Sequence, residues 1–348
     1  IESINEISEI QHPSVRGCLE YLNITEGVEI HHDGDLPARS GLGSSSSFTV
    51  GLLHALYALK QQMVSPRQLA EEAIDVEQNW LNESVGIQDQ IMAAHGGFQI
   101  IDMRPDANWN IKHMLLSKEY LSSLEDHVLL GFSGISRMAE KHAKNQVENI
   151  KQGKTNEELQ TIFSLAQEAL QAFQKQADFD EIGRLLDQSW QCKRRLAEGV
   201  SADWMDDLYQ TAIRNGAYGG KLMGAGGGGF FFFLAPPNKH QQIREALSQI
   251  KVWVPFKIDH SGSQVIFYND NSVAYASTHE FPLYPGTGAE NETGVGNIFN
   301  APIKSGTKGI EFLKIFENKI LAPLDKFKPE VILISAGFDA HFRDPLAN

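Results

Sequence analysis

The sequence predicts an α+β protein over about residues 1–267, followed by a segment of a different kind. Apolar residues recur with helical spacing through the middle of the chain, and strand-like stretches such as GGFFFFLAPP and VWVPFKI come after them. Beyond residue 267, a long stretch rich in Gly, Pro and Asn leads to VILISA, a continuous apolar run typical of a strand buried on both faces. These observations indicate one α+β region joined to part of an α/β region.

Helices are predicted where apolar residues recur with helical spacing or all round, and three of them also carry a start signal. Pro13 suits the first turn of a helix, and Ser65 has capping-box spacing to Gln68. Thr155 has the same spacing to Glu158. The predicted helices cover about 13–24, 48–62, 65–80, 155–176, 178–197, 201–215, 237–250 and 307–326.

Strands are predicted where apolar residues alternate or run together over a short stretch. Besides the three stretches named above, this pattern occurs in GVEIHH, GFQIIDM, HVLLGF and SVAYAST. The strands and helices are mixed along the chain, which is the layout expected of an α+β fold.

The charge and the cysteines narrow the class of partner. A formal charge of −14, from 30 Lys and Arg against 44 Asp and Glu, argues against general binding to nucleic acid or to anionic membranes. A small molecule is the expected partner, and the oligomeric state is not fixed. Cys18 and Cys192 have no disulfide spacing, which indicates a cytoplasmic protein. The first residues include neither an initiator Met nor a secretion signal, so we interpret this end as that of a fragment.

A loop rich in Gly and Ser, PARSGLGSSSS, comes directly before the predicted helix over 48–62. Glycines let backbone N–H groups approach an anion, and a helix start carries about half an elementary positive charge, so the loop is suited to a polyphosphate. A Ser-rich turn that only caps the helix explains the same residues equally well. The loop is not a Walker A motif, which requires a Lys.

A second glycine cluster, KLMGAGGGGFFFF, satisfies G-x-G-x-x-G at Gly224, Gly226 and Gly229. A dinucleotide-binding motif follows a strand and opens a helix, whereas this cluster follows a helix and opens an aromatic strand. An oxidoreductase is therefore not indicated. A tight hairpin-like connection is one explanation. Because consecutive glycines lose much conformational entropy on folding, close approach of a ligand or another backbone segment is the favoured one.

Two acidic residues lie between the glycine-rich loops. Glu77 is on the third predicted helix, and Asp89 is in VGIQDQIMAAHGG. A carboxylate near bound phosphates is unfavourable unless a cation lies between them, so either residue would suit a Mg²⁺ ligand or a proton acceptor. A solvated surface charge is the alternative, and for an isolated Asp or Glu it is the commoner case.

The order PARSGLGSSSS, GIQDQ and KLMGAGGGGF resembles the three-part pattern of the GHMP small-molecule kinases. The resemblance covers about 1–267, and IQHPSVRGCLEYL and FKIDHSGSQVIFY are similar to the branch that acts on D-glycero-D-manno-heptose 7-phosphate. It implies the GHMP kinase fold without its N-terminal strands, since the family's first motif would precede residue 1. It also implies an N-terminal, ATP-binding region over 1–120 and a C-terminal region over 121–267.

The resemblance implies a set of functional residues. ATP and Mg²⁺ are the implied cofactors, and a sugar phosphate that accepts a phosphoryl group on its anomeric hydroxyl is the implied substrate. Asp89 is implied to orient or deprotonate that hydroxyl, and Ser45 and Glu77 to bind Mg²⁺. Met223 replaces a small hydroxyl residue that is commoner in the family. The residues implied to contact the ATP phosphates or the substrate are Pro37, Gly41, Leu42, Gly43, Ser44, Ser45, Ser46, Gly224, Ala225, Gly226, Gly227 and Gly228.

The segment 268–348 resembles part of the histone deacetylase and acetoin-utilisation amidohydrolase family, through STHEFPLYPGTG and VILISAGFDAH. That family binds a catalytic zinc through three ligands, one of which is implied to be Asp339. In the register set by IFYND, the other two fall on Phe256 and Ile258, which cannot bind a metal, so zinc is not expected. We interpret the chain as a join of two gene fragments at about 264–270. A zinc-dependent deacetylase and a non-catalytic fragment are the alternatives to a kinase.

Overall fold

The computed structural model describes most of the chain, and it divides the chain into two compact units, Ile1–Gln264 and Val265–Asn348. The sequence predicted this boundary three residues later, at 267/268. The described residues are 6–25, 27–32, 34, 36, 40–104, 106, 108–135, 139–265, 274–280, 288–294, 296–330 and 332.

Four helices form the beginning of the first unit. They are α1 (Pro13–Tyr21), α2 (Ser44–Leu59), α3 (Pro66–Asp75) and α4 (Gln88–His95). They pack around buried apolar side chains that include Leu53, Leu69 and Ile91. The predicted helix start at Ser65 is confirmed, because its hydroxyl accepts a hydrogen bond from the Gln68 N–H at 3.2 Å. α3 is followed by a π-helical turn over residues 76–80.

A two-stranded hairpin and one helix follow. β1 (Gln99–Met103) pairs antiparallel with β2 (Trp109–His113), and α5 (Lys118–His127) comes next. The predicted strand GVEIHH is wrong, since residues 27–32 belong to no strand. The reason is that alternation stabilises a strand only beside a partner, and the described residues place none there.

A four-stranded antiparallel sheet forms the rest of the first unit. The strands are β3 (Val128–Phe132), β4 (Gly219–Leu222), β5 (Phe230–Leu234) and β6 (Val252–Val254), in the order β4-β5-β3-β6. The helices are α6 (Ala139–Lys151), α7 (Asn156–Gln174), α8 (Phe179–Arg194), α9 (Asp203–Arg214) and α10 (His240–Ala246). Phe231 and Phe233 of the sheet are fully buried with Trp190 and Tyr209 of these helices.

The predicted helical middle is confirmed, but the capping box at Thr155 is wrong, because its hydroxyl is buried and forms no cap bond among the described residues.

The second unit contains a parallel strand pair and a broken helix. β7 (Tyr275–Glu280) pairs with β8 (Ile298–Ile303), and α11 (Gly309–Phe316) continues through a π-helical turn into α12 (Ala322–Phe327). The predicted strand SVAYAST and the predicted helix over 307–326 are confirmed. The predicted strand VILISA lies, apart from Ile332, outside the described residues.

Two further features bear on the class of protein. Within the described ranges, no helix combines the length and the apolar character that crossing a membrane requires. Cys18 and Cys192 are both free and buried.

Helix α8 packs on strand β4 through glycines. A Cβ on Gly219 would lie 1.8 Å from the Gly183 carbonyl oxygen, and a Cβ on Gly183 would lie 2.4 Å from the Tyr218 Cβ. No side chain larger than hydrogen fits at either position, so this contact fixes the distance between α8 and the sheet.

We expect Gly219→Ala to lower the free energy of unfolding by about 2 kcal/mol or more, because overpacking a tight contact typically costs ~1–3 kcal/mol. Gly51→Ala is the control, since Gly51 is on an open face of α2 with no atom within 4 Å of the added Cβ. That change is expected to stabilise the helix by about 0.5–1 kcal/mol. Urea unfolding measures both. Equal effects of the two variants would contradict the close packing of α8 on β4.

Candidate active site

The two glycine-rich loops, which are distant in sequence, contact each other directly. A Cβ on Gly41 would lie 2.8 Å from the Met223 carbonyl oxygen, and a Cβ on Gly224 would lie 2.8 Å from the Gly41 Cα. The Phe230 N–H also donates a hydrogen bond to the Ser40 carbonyl oxygen at 3.0 Å. The contact is therefore between two backbones, which explains why glycine is needed on both sides. The predicted Pro37 lies outside the described residues.

The first loop ends in a helix start without a side-chain cap. Gly43 is the N-cap residue of α2 and has a left-handed conformation with φ of 70°. In the described structure no side chain forms a capping hydrogen bond to this helix start. The alternative of a serine cap is therefore wrong. The N–H groups of the first turn are left without a cap, which makes this end of α2 suited to an anion.

Asp89 lies against this helix start. A Cβ on Gly43 would lie 3.0 Å from the Asp89 Cγ and Oδ2, so the carboxyl group lies beside the first turn of α2. Partial burial among the surrounding protein atoms raises the pKa of Asp89, and the positive charges of Lys193 and Lys221 oppose this shift. The side chain itself stays accessible to solvent. A carboxyl group with a raised pKa thus lies next to a helix start that is suited to an anion.

Lys193 and Lys221 are functional candidates that the sequence did not reveal. Lys193, on α8, is half-buried and donates a hydrogen bond to the Gly224 carbonyl oxygen at 2.5 Å. Burial lowers the pKa of Lys193 to about 7, with a further contribution from the charge of Lys221, while Asp89 acts in the opposite direction. Burial also lowers the pKa of Lys221, on β4, again opposed by Asp89. Lys221 opens the motif KLMGAGGGG, but nothing in the sequence around Lys193 marks it.

Glu77 is fully buried in the π-helical turn after α3. Its Oε2 accepts hydrogen bonds from the Ser46 hydroxyl, at 2.9 Å, and from the Gln90 amide. Burial raises the pKa of Glu77, and the polar side chains of Thr49, Ser46 and Gln90 oppose the shift. The structure thus places Ser46 against Glu77, whereas the Ser45 side chain is exposed.

Glu77 and Gln90 each keep one oxygen without a partner. Glu77 Oε1 and Gln90 Oε1 are buried and accept no hydrogen bond from the described residues. Unpaired buried acceptors are unfavourable, and a cation or a donor from a ligand would satisfy them. Carboxylate, amide and hydroxyl oxygens beside an anion site are the hard ligands that Mg²⁺ prefers, so the residues fit this metal.

The rest of the second glycine cluster is packed against protein. A Cβ on Gly226 would lie 2.7 Å from the Val200 Cα, and a Cβ on Gly228 would lie 2.7 Å from the Ile135 carbonyl oxygen. The cluster connects the antiparallel strands β4 and β5, so the hairpin explanation and the close-approach explanation both hold. The prediction that it follows a helix is wrong, because β4 precedes it, but it still opens a strand and not the helix that a dinucleotide-binding motif opens. Direct contact of Gly224 to Gly228 with a ligand stays a prediction.

A cavity of about 370 Å³ lies one helical turn beyond the contact between Gly43 and Asp89. Ser47 and Met92 line it, and they follow Gly43 and Asp89 by four and three residues, so they lie on the same faces of α2 and α4. Asp259, Gly262 and Ser263 are among the other lining residues. The cavity is large enough for a small polar molecule, although Asp89 itself is not among the lining residues.

The predicted zinc positions are not assembled among the described residues. Phe256 and Ile258 pack in a hydrophobic cluster, and the ring of Phe256 contacts that of Phe232 at 6.0 Å between centroids. Asp339 lies outside the described residues. Within the described part of the chain, no group of three or more His, Cys, Asp or Glu side chains is placed to hold a metal ion.

Three family domains match the chain. Residues 13–97 match the N terminal domain of GHMP kinases, and residues 166–251 match the GHMP kinase C terminal domain. Residues 260–348 match the histone deacetylase domain.

Two known proteins are similar in sequence to the parts of the chain that these domains match. A D-glycero-alpha-D-manno-heptose 7-phosphate kinase of Campylobacter jejuni is 32% identical over 229 residues, which are 65% of this chain and 66% of that protein. A probable deacetylase of Archaeoglobus fulgidus is 43% identical over 91 residues, which are 25% of each chain. The chain thus spans slightly less than two thirds of the first relative and a quarter of the second.

Solved structures show the same fold. A D-glycero-D-manno-heptose 1-phosphate kinase from Bacteriodes thetaiotaomicron superposes with a TM-score of 0.57 at 22% identity, over 75% of this chain and 76% of that one. L. major mevalonate kinase in complex with R-mevalonate gives a TM-score of 0.55 at 21% identity, over 74% of this chain and 79% of that one.

We expect Lys193 to titrate with a midpoint of about 7. Reductive methylation with carbon-13-labelled formaldehyde followed by NMR measures this, and the signal is assigned by its loss in Lys193→Arg. Because an anion favours the protonated form of a nearby lysine, inorganic pyrophosphate is expected to raise the midpoint. The exposed Lys154 provides the control signal. A Lys193 midpoint that pyrophosphate leaves unchanged would contradict an anion site beside this ammonium group.

Proposed function

We propose that the first unit, which contains matches to the N- and C-terminal domains of GHMP kinases, transfers a phosphoryl group from ATP to a hydroxyl group of a sugar phosphate. GHMP kinases are phosphotransferases. The observation that carries the proposal is the contact of the Asp89 carboxyl group with Gly43, at the uncapped start of α2. It supports the proposal because phosphoryl transfer needs a proton acceptor close to the donors that bind the phosphate oxygens.

The reaction requires alignment and charge neutralisation more than covalent chemistry by the protein. The free N–H groups at Ser44, Ser45 and Ser46 hold the phosphates of ATP, and the glycine contact between the loops keeps this end of the helix open to them. The acceptor occupies the cavity beyond Asp89, with its hydroxyl group at the carboxylate. As the new P–O bond forms, the hydroxyl proton passes to Asp89, and its raised pKa makes the carboxylate a better base than an exposed aspartate.

Ser45 and Glu77 remain our candidates for the residues that hold Mg²⁺, with Ser46 and Gln90 orienting the Glu77 carboxylate. The ion would neutralise the charge of the ATP phosphates. The unpaired Oε1 of Glu77 supports this assignment, because it is the oxygen of the carboxylate that no described residue satisfies.

We propose D-glycero-D-manno-heptose 7-phosphate as the acceptor, phosphorylated on its anomeric hydroxyl. The support is the similarity to the Campylobacter jejuni kinase that is named for this sugar phosphate. Free, buried cysteines are in keeping with a cytoplasmic setting. Zinc-dependent deacetylation has no part in the proposal, because two of the expected ligand positions are the hydrocarbon side chains Phe256 and Ile258.

Asp89→Asn is expected to reduce kcat with ATP, Mg²⁺ and heptose 7-phosphate by about 10²- to 10⁴-fold, because the amide cannot accept the proton. ADP release measures turnover, and fluorescence titration measures ATP affinity, which is expected to change little. Asp180→Asn is the matched control, since Asp180 is an exposed residue in the first turn of α8. Full activity of Asp89→Asn would exclude the carboxylate as the proton acceptor.

Glu77→Gln is expected to weaken Mn²⁺ binding in the presence of ADP by about 10- to 100-fold, because it removes the charge of the carboxylate. Electron paramagnetic resonance of free Mn²⁺ measures this affinity without turnover. Glu119→Gln, at an exposed position on α5, is the control. If Glu77→Gln binds Mn²⁺ as the parent does, Glu77 only positions Ser46 and Gln90.

A further inference from the structure

Two ammonium groups from different elements share the site with one carboxylate. Lys193 comes from α8 and Lys221 from β4, and each interacts electrostatically with Asp89. Lys193 is fixed by its hydrogen bond to the carbonyl oxygen of Gly224, the residue that also contacts Gly41. Lys193 therefore lies at the junction of the two glycine loops, and Lys221 is three residues before Gly224, on the strand that leads into this junction.

The charges of this group are not balanced. When both lysines are protonated, their two positive charges exceed the one negative charge of Asp89, in a chain whose formal charge is −14. Burial disfavours the charged form of both lysines, and the charge of Lys221 adds to the effect at Lys193. A poorly hydrated pair of like charges is stabilised when an anion binds between them. The group is thus arranged for a ligand that carries more negative charge than Asp89 alone supplies.

The hydrogen bonds of Lys193 leave room for such a ligand. An ammonium group has three N–H donors, and the bond to the Gly224 carbonyl oxygen uses one of them. The start of α2 already provides backbone donors for phosphates on the other side of Gly43. The lysines lie near Asp89, which is where the acceptor hydroxyl must be placed, so their ligand lies between the nucleotide and the acceptor.

We infer that Lys193, together with Lys221, binds the phosphoryl group while it passes from ATP to the acceptor, which makes Lys193 a catalytic residue. The inference rests on the proposed function. In this step the bond from the γ-phosphorus to the bridging oxygen of ADP breaks, and a bond from the phosphorus to the acceptor oxygen forms. The acceptor proton passes to Asp89. The ammonium groups donate hydrogen bonds to the equatorial oxygens, on which negative charge is concentrated during transfer.

A purely structural role for Lys193 is the alternative, in which its bond only holds the Gly224 loop in place. The two roles differ in what they predict for binding. If Lys193 only holds the loop, its loss weakens the binding of ADP and of a mimic of the transferring group equally. If Lys193 binds the transferring group, its loss weakens the binding of the mimic alone.

The experiment compares the affinity for ADP with that for ADP plus aluminium fluoride, both with Mg²⁺, by isothermal titration calorimetry. Aluminium fluoride mimics the transferring phosphoryl group, and the parent chain is expected to bind the combination more tightly than ADP. Lys193→Met is expected to reduce this gain by about 10²-fold, as loss of one donor to developing charge does, with ADP affinity little changed. Lys193→Arg, which keeps the charge, is expected to recover part of the gain. Lys154→Met, on an exposed lysine, is expected to match the parent.

Three outcomes would overturn the inference. In the first, Lys193→Met still binds ADP plus aluminium fluoride as much more tightly than ADP as the parent does. In the second, Lys193→Met loses affinity equally for ADP and for ADP plus aluminium fluoride, which would mean that Lys193 only holds the Gly224 loop. The third is a parent chain that binds ADP but gains nothing from aluminium fluoride. A parent chain that does not bind ADP would refute the proposed function itself. Lys221→Met provides a second test, with the same expected loss, should Lys193→Met fail to fold.

Discussion

The backbone contact between Gly41 and Gly224 is the constraint on which the candidate site depends. One glycine precedes α2 and the other opens the hairpin between β4 and β5, so this contact connects the helical half of the first unit to its sheet. It places Lys193, which is bonded to the Gly224 carbonyl oxygen, near the start of α2. Packing of α8 on β4 through Gly183 and Gly219 holds the lysine side of the site at a fixed distance from the sheet.

Charged and polar groups are arranged around this contact in an order that suits the proposed phosphoryl transfer. Backbone donors at the start of α2 are suited to an anion, the Asp89 carboxyl group lies beside them, and the buried Glu77 accepts a hydrogen bond from Ser46. Each group is perturbed by partial loss of water, which raises the pKa of both acids and lowers that of Lys193 and Lys221. Such perturbation is unfavourable in an empty protein and is typical of a site built to bind a charged ligand.

Much of the fold could be predicted, because α3 and the helices α7 to α9 each bury one face and so show periodic apolar residues, while α2 is apolar nearly all round. The strand predicted at 27–32 failed because strand pairing depends on a neighbour, which a local pattern does not specify. The glycine loops and Asp89 could be found from motifs, whereas Lys193 could not, since only the packing of α8 on β4 brings it to Gly224.

The residues that match the histone deacetylase domain begin at 260. Ser263 nevertheless forms a hydrogen bond with His54 of α2 at 2.9 Å and belongs to the first unit. Sequence similarity and packing therefore divide the chain at different points.

The junction of the two glycine loops also limits how the site can be redesigned. Because the two backbones are in direct contact there, a side chain added at position 41 or 224 would push the loops apart. No substitution at these positions can therefore adjust the shape of the site. A redesign of selectivity for the proposed acceptor must therefore keep this backbone contact unchanged. The positions open to variation are those whose side chains border the adjoining cavity, Ser47 and Met92 first among them.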